Sequence, residues 1–162
     1  MIDAVLFDVD GTLVNTESVV HFVDRPKGMK DFESFHAQSM FCPPNFGPAE
    51  CLRLLNKIGV PVIIATARLE RWRGDTEKWL SLNNLQYEKL YMRKAYDFRK
   101  DVIVKQEMLE SINRDGYNLI EAWDDNPNII ELWENNGIPT VLVPGWNKSI
   151  VETSLHQTLF NL

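Results

Sequence analysis

Two uninterrupted apolar runs constrain the fold more than any other feature of this sequence. Ala4-Val5-Leu6-Phe7 and Val60-Pro61-Val62-Ile63-Ile64-Ala65 are short, apolar without alternation and bounded by turn residues. Such runs read as strands buried on both faces. Tyr87 to Met92, Leu119 to Trp123 and Thr140 to Val143 are weaker strand candidates. Helical signals separate them. Pro48-Ala49-Glu50 opens a periodic stretch that Gly59 closes, and Asn126-Pro127 opens another that stops at Gly137. Residues 69–82 and 101–113 carry apolar positions at helical spacing: Trp72, Trp79 and Leu82, then Val102, Met108, Leu109 and Ile112. Strands alternating with helices imply an α/β fold, a Rossmann-like three-layer sandwich around a five-stranded parallel sheet. The 162 residues suit a single domain over 1–162.

Residues 12–47 break the rhythm. They hold Phe22, Phe32, Phe35, Phe41 and Phe46, with His21, His36, Arg25, Lys27 and Lys30. They read as a small helical insertion packed on its own phenylalanines. Because it begins at the carboxyl end of the first strand, where α/β sheets bind ligands, the same insertion is expected to cap the site.

The chemistry concentrates at strand ends. Asp8-Val9-Asp10-Gly11-Thr12 sets two carboxylates on one face of an extended strand end, and Gly11 permits the tight turn that keeps them together. A polar turn accounts for one Asp and the Gly. It does not account for two clustered carboxylates that repel unless a cation neutralises them. Asp124-Asp125 follows the Leu119–Trp123 strand. Asn126 and Pro127 are explained as a helix cap, which leaves the Asp pair unexplained. Strand ends of a parallel sheet converge, so four carboxylates would crowd together and call for a hard divalent cation, Mg²⁺. Thr66-Ala67-Arg68 ends the second strand with a hydroxyl, backbone N–H groups and a guanidinium, the parts of a phosphate cradle. Lys105 could add a charge, although a helical Lys is more often a solvated face.

In chain order, Asp-x-Asp-Gly-Thr, Thr66, Lys105 and Asp124-Asp125 resemble the haloacid dehalogenase superfamily of phosphotransferases. The resemblance implies a nucleophilic Asp8 that forms an aspartyl-phosphate and an acid/base Asp10. It implies that Thr66 and Lys105 hold phosphoryl oxygens, and that Mg²⁺ sits on Asp8, the Asp10 carbonyl and Asp125, with Asp124 behind. A narrower resemblance is to the 3′-phosphatase domain of phage-type polynucleotide kinase-phosphatases. It rests on Thr66-Ala67-Arg68, on Arg99-Lys100-Asp101-Val102-Ile103-Val104-Lys105, and on Asp124-Asp125 followed by Ile129-Ile130-Glu131-Leu132-Trp133. It makes Arg68 and Asp101 functional, alongside Ala67, Gly11 and Thr12 around the phosphate. Asn126 departs from it, standing where an Arg commonly follows the Asp pair. No Gly-x-x-x-x-Gly-Lys-Ser/Thr loop occurs in the chain, so a separate kinase or ligase is the implied partner.

The expected activity is therefore removal of a 3′-phosphate from a nucleic-acid end. A nucleotidase for free mononucleotides is the second reading, and the few residues available for a lid favour a polymer end over a small molecule. A phospho-acceptor receiver domain is the third. Receivers carry their acceptor Asp after the third strand, whereas the third candidate strand here ends at Tyr91-Met92-Arg93.

Charge refines the substrate class. The net charge of −6 argues against a general grip on nucleic acid, but residues 68–105 hold 10 basic and 6 acidic side chains, a cationic island between acidic flanks. Arg25, Arg71, Arg73, Arg93 and Lys94 read as solvated charges that could line a phosphate approach. His21, His36 and His156 lack metal spacing, and Trp72, Trp79, Trp123 and Trp133 fit core positions. Cys42 and Cys51 are too few for a disulfide framework and read as reduced thiols. With no basic n-region after Met1, and a longest apolar run (Gly59 to Ala67) about half a membrane span, the expected location is cytoplasmic, away from membranes.

Overall fold

In the computed structural model, which describes residues 1–144, five strands form one parallel sheet in the order β3-β2-β1-β4-β5. The strands are β1 (Ile2–Phe7), β2 (Val62–Leu69), β3 (Lys89–Arg93), β4 (Tyr117–Asp124) and β5 (Thr140–Leu142). The helices are α1 (Phe32–Ser39), α2 (Phe46–Ile58), α3 (Arg73–Leu82), α4 (Asp101–Arg114) and α5 (Pro127–Asn135).

Central strands explain the unbroken apolar runs. Val5 and Phe7 of β1 face a core shared with Phe35 of α1, Leu52 of α2 and Leu80 of α3. Ala4 and Leu6 face the opposite core, built with Met108 and Ile112 of α4 and Ile129 and Trp133 of α5. Both faces of the strand are dry, so neither can be polar.

The chain winds outward from β1 through β2 to β3, then returns to place β4 on the other side of β1. That reversal opens a crevice at the carboxyl ends of β1 and β4. The Asp8 N–H bonds the Trp123 carbonyl at 3.0 Å, which continues the β1–β4 pairing one residue past the strand and sets Asp8 beside Asp124.

Helix ends follow the expected chemistry in part. Asn126 caps α5 by accepting the Asn128 N–H, with Pro127 in the first turn. Gly59 ends α2 at φ 77°. α2 starts two residues before Pro48, which is tolerated because first-turn N–H groups have no intrahelical partner. Its Asn45 instead ties α2 to the first turn of the site, donating to the Gly11 and Thr12 carbonyls at 3.2 and 2.9 Å.

Three expectations are corrected. The residue 69–82 helix begins only at Arg73, after a 3-10 turn at Glu70–Trp72. Leu82 and Val102 lie outside the core, on exposed helix faces. The insertion does not pack on its own phenylalanines: Phe32, Phe41 and Phe46 are exposed, and only Phe35 is buried. Leu13, Val14, Val19 and Val23 anchor it directly in the sheet's core instead. His156 lies outside the described residues. Cys42 is buried and Cys51 half-buried, and no disulfide joins them. Among the described residues no helix is long and apolar enough to cross a membrane.

Candidate active site

The two carboxylates of Asp8-Val9-Asp10 turn to different partners. Asp8 is buried, and its Oδ1 accepts from the Lys105 ammonium at 2.8 Å. Among the described residues, its Oδ2 has only a distant Thr12 hydroxyl at 3.5 Å. Asp10 is held by Arg68, whose Nε and Nη2 donate to its two oxygens at 2.8 and 2.6 Å. That bidentate pair fixes both planes.

Lys105 reaches the site from α4 and is buried there. It also donates to Asp124 Oδ2 at 2.6 Å, while Asp124 Oδ1 accepts the Asn126 N–H at 3.0 Å. Both Asp124 oxygens are thus engaged. Asp8, Asp124 and Asp125 offer oxygens that all lie within 4.8 Å of one another. Gly11, at φ 81°, passes so close to Asp125 that a Cβ there would sit 2.1 Å from its Oδ2. The glycine serves the close approach as well as the turn.

Asp8 and Asp124 share the Lys105 ammonium, and Asp125 stands beside them without a bond to it. Burial, with the Asp124 charge, pushes Asp125 up to about 7, against a smaller pull from Lys105. Burial also raises Asp8 well above the ordinary carboxylate range, opposed by Lys105 and reinforced by Asp124 and Asp125. Asp124 and Asp8 outweigh burial at Lys105 and raise it. At Asp10, burial works upward but the Arg68 guanidinium prevails and lowers it. An oxygen-only donor set with excess negative charge fits a hard divalent cation.

A pH-dependent stability follows. Asp125 titrates near the ordinary 3.9 when unfolded, so its folded-state protonation stabilises the chain at low pH. That contribution is lost as pH rises through about 7. A divalent cation replaces the lost proton. It should therefore raise the melting temperature more near pH 8 than near pH 5.5, roughly one unit above and below that titration. A pH-independent increment in scanning calorimetry would contradict the assignment.

The other anticipated residues surround this centre. Thr66 is buried in β2, which runs through Thr66, Ala67 and Arg68 to Leu69 with an irregular register. The Thr66 hydroxyl accepts the Arg68 N–H at 3.2 Å. Asp101, at the start of α4, pairs with Arg93. Arg93 is buried, a correction to its reading as a solvated charge: it donates to the carbonyls of Ala67, Asp97 and Arg99 at 3.0, 3.1 and 2.7 Å.

Several supporting residues carried no sequence signal. Ser39 of α1 and Thr76 of α3 accept from the Arg68 guanidinium at 2.8 and 3.0 Å. His36 Nδ1 lies 3.8 Å from Asp10 Oδ2, and burial lowers the imidazole to about 4, so it is neutral there. No spacing rule connects these positions to Arg68 or Asp10. Asp8, Asp10, Arg68 and Lys105 open into a cleft of ≈ 690 Å³ whose lining includes Val23, Lys30, Phe32, Phe35 and His36 from the insertion.

Comparison with known proteins identifies the arrangement. Two structures of Pnkp1/Rnl/Hen1, one of them the Pnkp1/Rnl/Hen1 RNA repair complex, each match at TM-score 0.74 and 25% identity over 88% of this chain. The chain spans 42% and 45% of those two chains, less than half their length. A haloacid dehalogenase-like hydrolase from Streptococcus pneumoniae matches at TM-score 0.62 and 15% identity, over 90% of this chain and 86% of its own. The class C acid phosphatase from Bacillus anthracis matches at TM-score 0.63 and 12% identity, over 90% and 67%. The latter two share the fold. No curated protein matches the sequence. Residues 2–145 match the model of the polynucleotide kinase PNKP phosphatase domain, and the chain belongs to that family of haloacid dehalogenase-type phosphoric monoester hydrolases.

Proposed function

We propose that the protein is a Mg²⁺-dependent phosphomonoesterase that works through an aspartyl-phosphate on Asp8 and removes 3′-phosphates from nucleic-acid ends. The observation that carries this reading is the division between the two carboxylates of one turn. Asp8 faces Lys105 and the acidic cluster, and Asp10 faces Arg68.

Asp8 Oδ2, the oxygen without a close donor, is the nucleophile. Its bond to phosphorus forms as the bond from phosphorus to the 3′-oxygen breaks. Lys105, the Thr66 hydroxyl and the Ala67 backbone hold the phosphoryl oxygens, while the Gly11 and Thr12 N–H groups are engaged inside the turn by the Val14 and Val9 carbonyls at 3.0 and 3.3 Å. Bound Mg²⁺ supplies charge neutralisation between nucleophile and phosphate. Asp8, the Asp10 carbonyl and Asp125 would hold it, because Asp124 is already committed to Lys105 and Asn126.

Asp10 serves both steps. While Arg68 grips it, it stays a carboxylate. An entering phosphate competes for the guanidinium, and burial then favours the protonated acid, which passes its proton to the leaving 3′-oxygen. The resulting carboxylate takes a proton from the water that attacks phosphorus, and phosphate leaves with Asp8 restored. Asp101 sustains this geometry through Arg93 and the Ala67 carbonyl. Residues 12–47 act as a small cap within one phosphatase domain, contributing Phe35 and His36 to the cleft wall.

The likeness to chains of an RNA repair complex supports a polynucleotide substrate and a kinase or ligase as partner. Steady-state assays with Mg²⁺ on a 3′-phosphorylated oligonucleotide and on free 3′-mononucleotides test this. The oligonucleotide should give the higher kcat/KM. A wide preference for mononucleotides would replace the polynucleotide reading with a nucleotidase.

A further inference from the structure

Between β3 and α4 the chain reads Lys94-Ala95-Tyr96-Asp97-Phe98-Arg99-Lys100, three basic residues and one acidic. Tyr96 is 88% exposed and Phe98 85%, so neither ring serves the core. The loop that carries them is fastened from within. Arg93 holds the Asp97 and Arg99 carbonyls, and the Asp97 side chain accepts from the Arg99 N–H and guanidinium. Arg99 also grips Glu107 of α4 at 2.6 and 2.9 Å. The tip is a turn closed by the Asp97 N–H on the Lys94 carbonyl at 3.3 Å. Tyr96 takes its third position at φ 61°, a conformation that favours Gly or Asn. A braced loop thus holds two rings in water, one of them against its backbone preference. Strain of this kind persists where the surrounding structure enforces it.

Phe98 lines the cleft that contains Asp8 and Asp10, and Tyr96 stands two residues before it at the tip of the loop. We propose that Tyr96 and Phe98 form a stacking platform for the unpaired bases just 5′ of the terminal phosphate, with Lys94 and Lys100 beside the strand's phosphates. The inference rests on the polynucleotide reading above. Exposed rings interleaved with cations are what a single strand needs, because its unpaired bases present free π-faces along a polyanionic backbone. The charge favours a polyanion over a neutral or basic protein surface, and the two exposed rings favour unpaired bases over an acid-rich one. The loop belongs to the cationic island at 68–105 in a chain whose net charge is −6.

The test compares kcat/KM for two 3′-phosphorylated single strands of about ten nucleotides, a length within the span of known single-strand sites. One carries ordinary bases, and the other has abasic terminal nucleotides. Tyr96→Gly and Phe98→Ala should each reduce the ratio of the two values roughly tenfold, through KM, as loss of one stacked base predicts. Tyr96→Phe should keep it. Glycine accepts the φ of Tyr96, so Tyr96→Gly should melt no lower than the parent. An unaltered ratio in both variants, or a parent that treats the two strands alike, overturns the platform. A parent that hydrolyses 3′-mononucleotides but neither strand overturns the polynucleotide reading and the platform with it.

Discussion

Asp8→Asn should reduce phosphate release by roughly four orders of magnitude or more, the scale seen when a nucleophile is removed from a preorganised site. Asparagine has the same shape, so the loss would not come from packing. Lys105 keeps its bond to Asp124 at 2.6 Å and stays in place. Removing this charge also removes its burial cost and its repulsion with Asp124 and Asp125, so the folded chain should be no less stable. What disappears is the carboxylate oxygen that attacks phosphorus, and an amide is a far weaker nucleophile. Phosphate release by a continuous assay, paired with a melting curve, checks both halves. Retained turnover in a folded variant would remove the covalent mechanism. Acid-quenched protein should carry phosphate in the parent and none in the variant.

Much of this site could be read before any coordinates because its parts are local. Asp8 and Asp10 sit in one turn, and Asp124 and Asp125 in another. The first pair follows a strand whose apolar run marks it as buried on both faces, the second follows the weaker Leu119–Trp123 signal, and the parallel pairing of β1 with β4 brings the pairs together. Arg68 shows where locality ends. As a cation after Thr66 it reads as a phosphate ligand, yet it is engaged by Asp10, 58 positions away, and by Ser39 and Thr76. No periodicity links those positions. Arg93 was hidden for a similar reason: three backbone carbonyls receive it, and carbonyls leave no trace in side-chain identity. β2 also outruns its apolar signal, because the strand runs on to Leu69 across a break in register at Ala67 and Arg68 that turns polar groups into the cleft. The insertion misled in the other direction. Five phenylalanines in 36 residues look like a small core, but the sheet already offers a larger apolar surface, and Val14, Val19 and Val23 use it.

Gly11→Ala tests the tightest contact in the site. The new Cβ would stand 2.1 Å from Asp125 Oδ2 and 2.6 Å from its Cγ, so the carboxylate or the turn must move. The backbone adds its own cost, about 1–2 kcal/mol for a Cβ at φ 81°. That backbone cost alone lowers the melting temperature of a chain this size by about 2–8 °C. Gly28→Ala separates the two effects. Gly28 has φ 90° but nothing within 4 Å of the added Cβ, so it incurs the backbone cost without the collision. Mg²⁺ affinity, read by titration calorimetry, should fall about 10–100-fold in Gly11→Ala, the scale expected when a neighbour displaces a metal ligand. Activity should recover in part at high Mg²⁺, because Asp8 and Lys105 are untouched by the collision. Gly28→Ala should lose stability but keep its Mg²⁺ affinity. Equal affinities in the two variants would mean that Asp125 is not a ligand, and that Gly11 matters only for the turn.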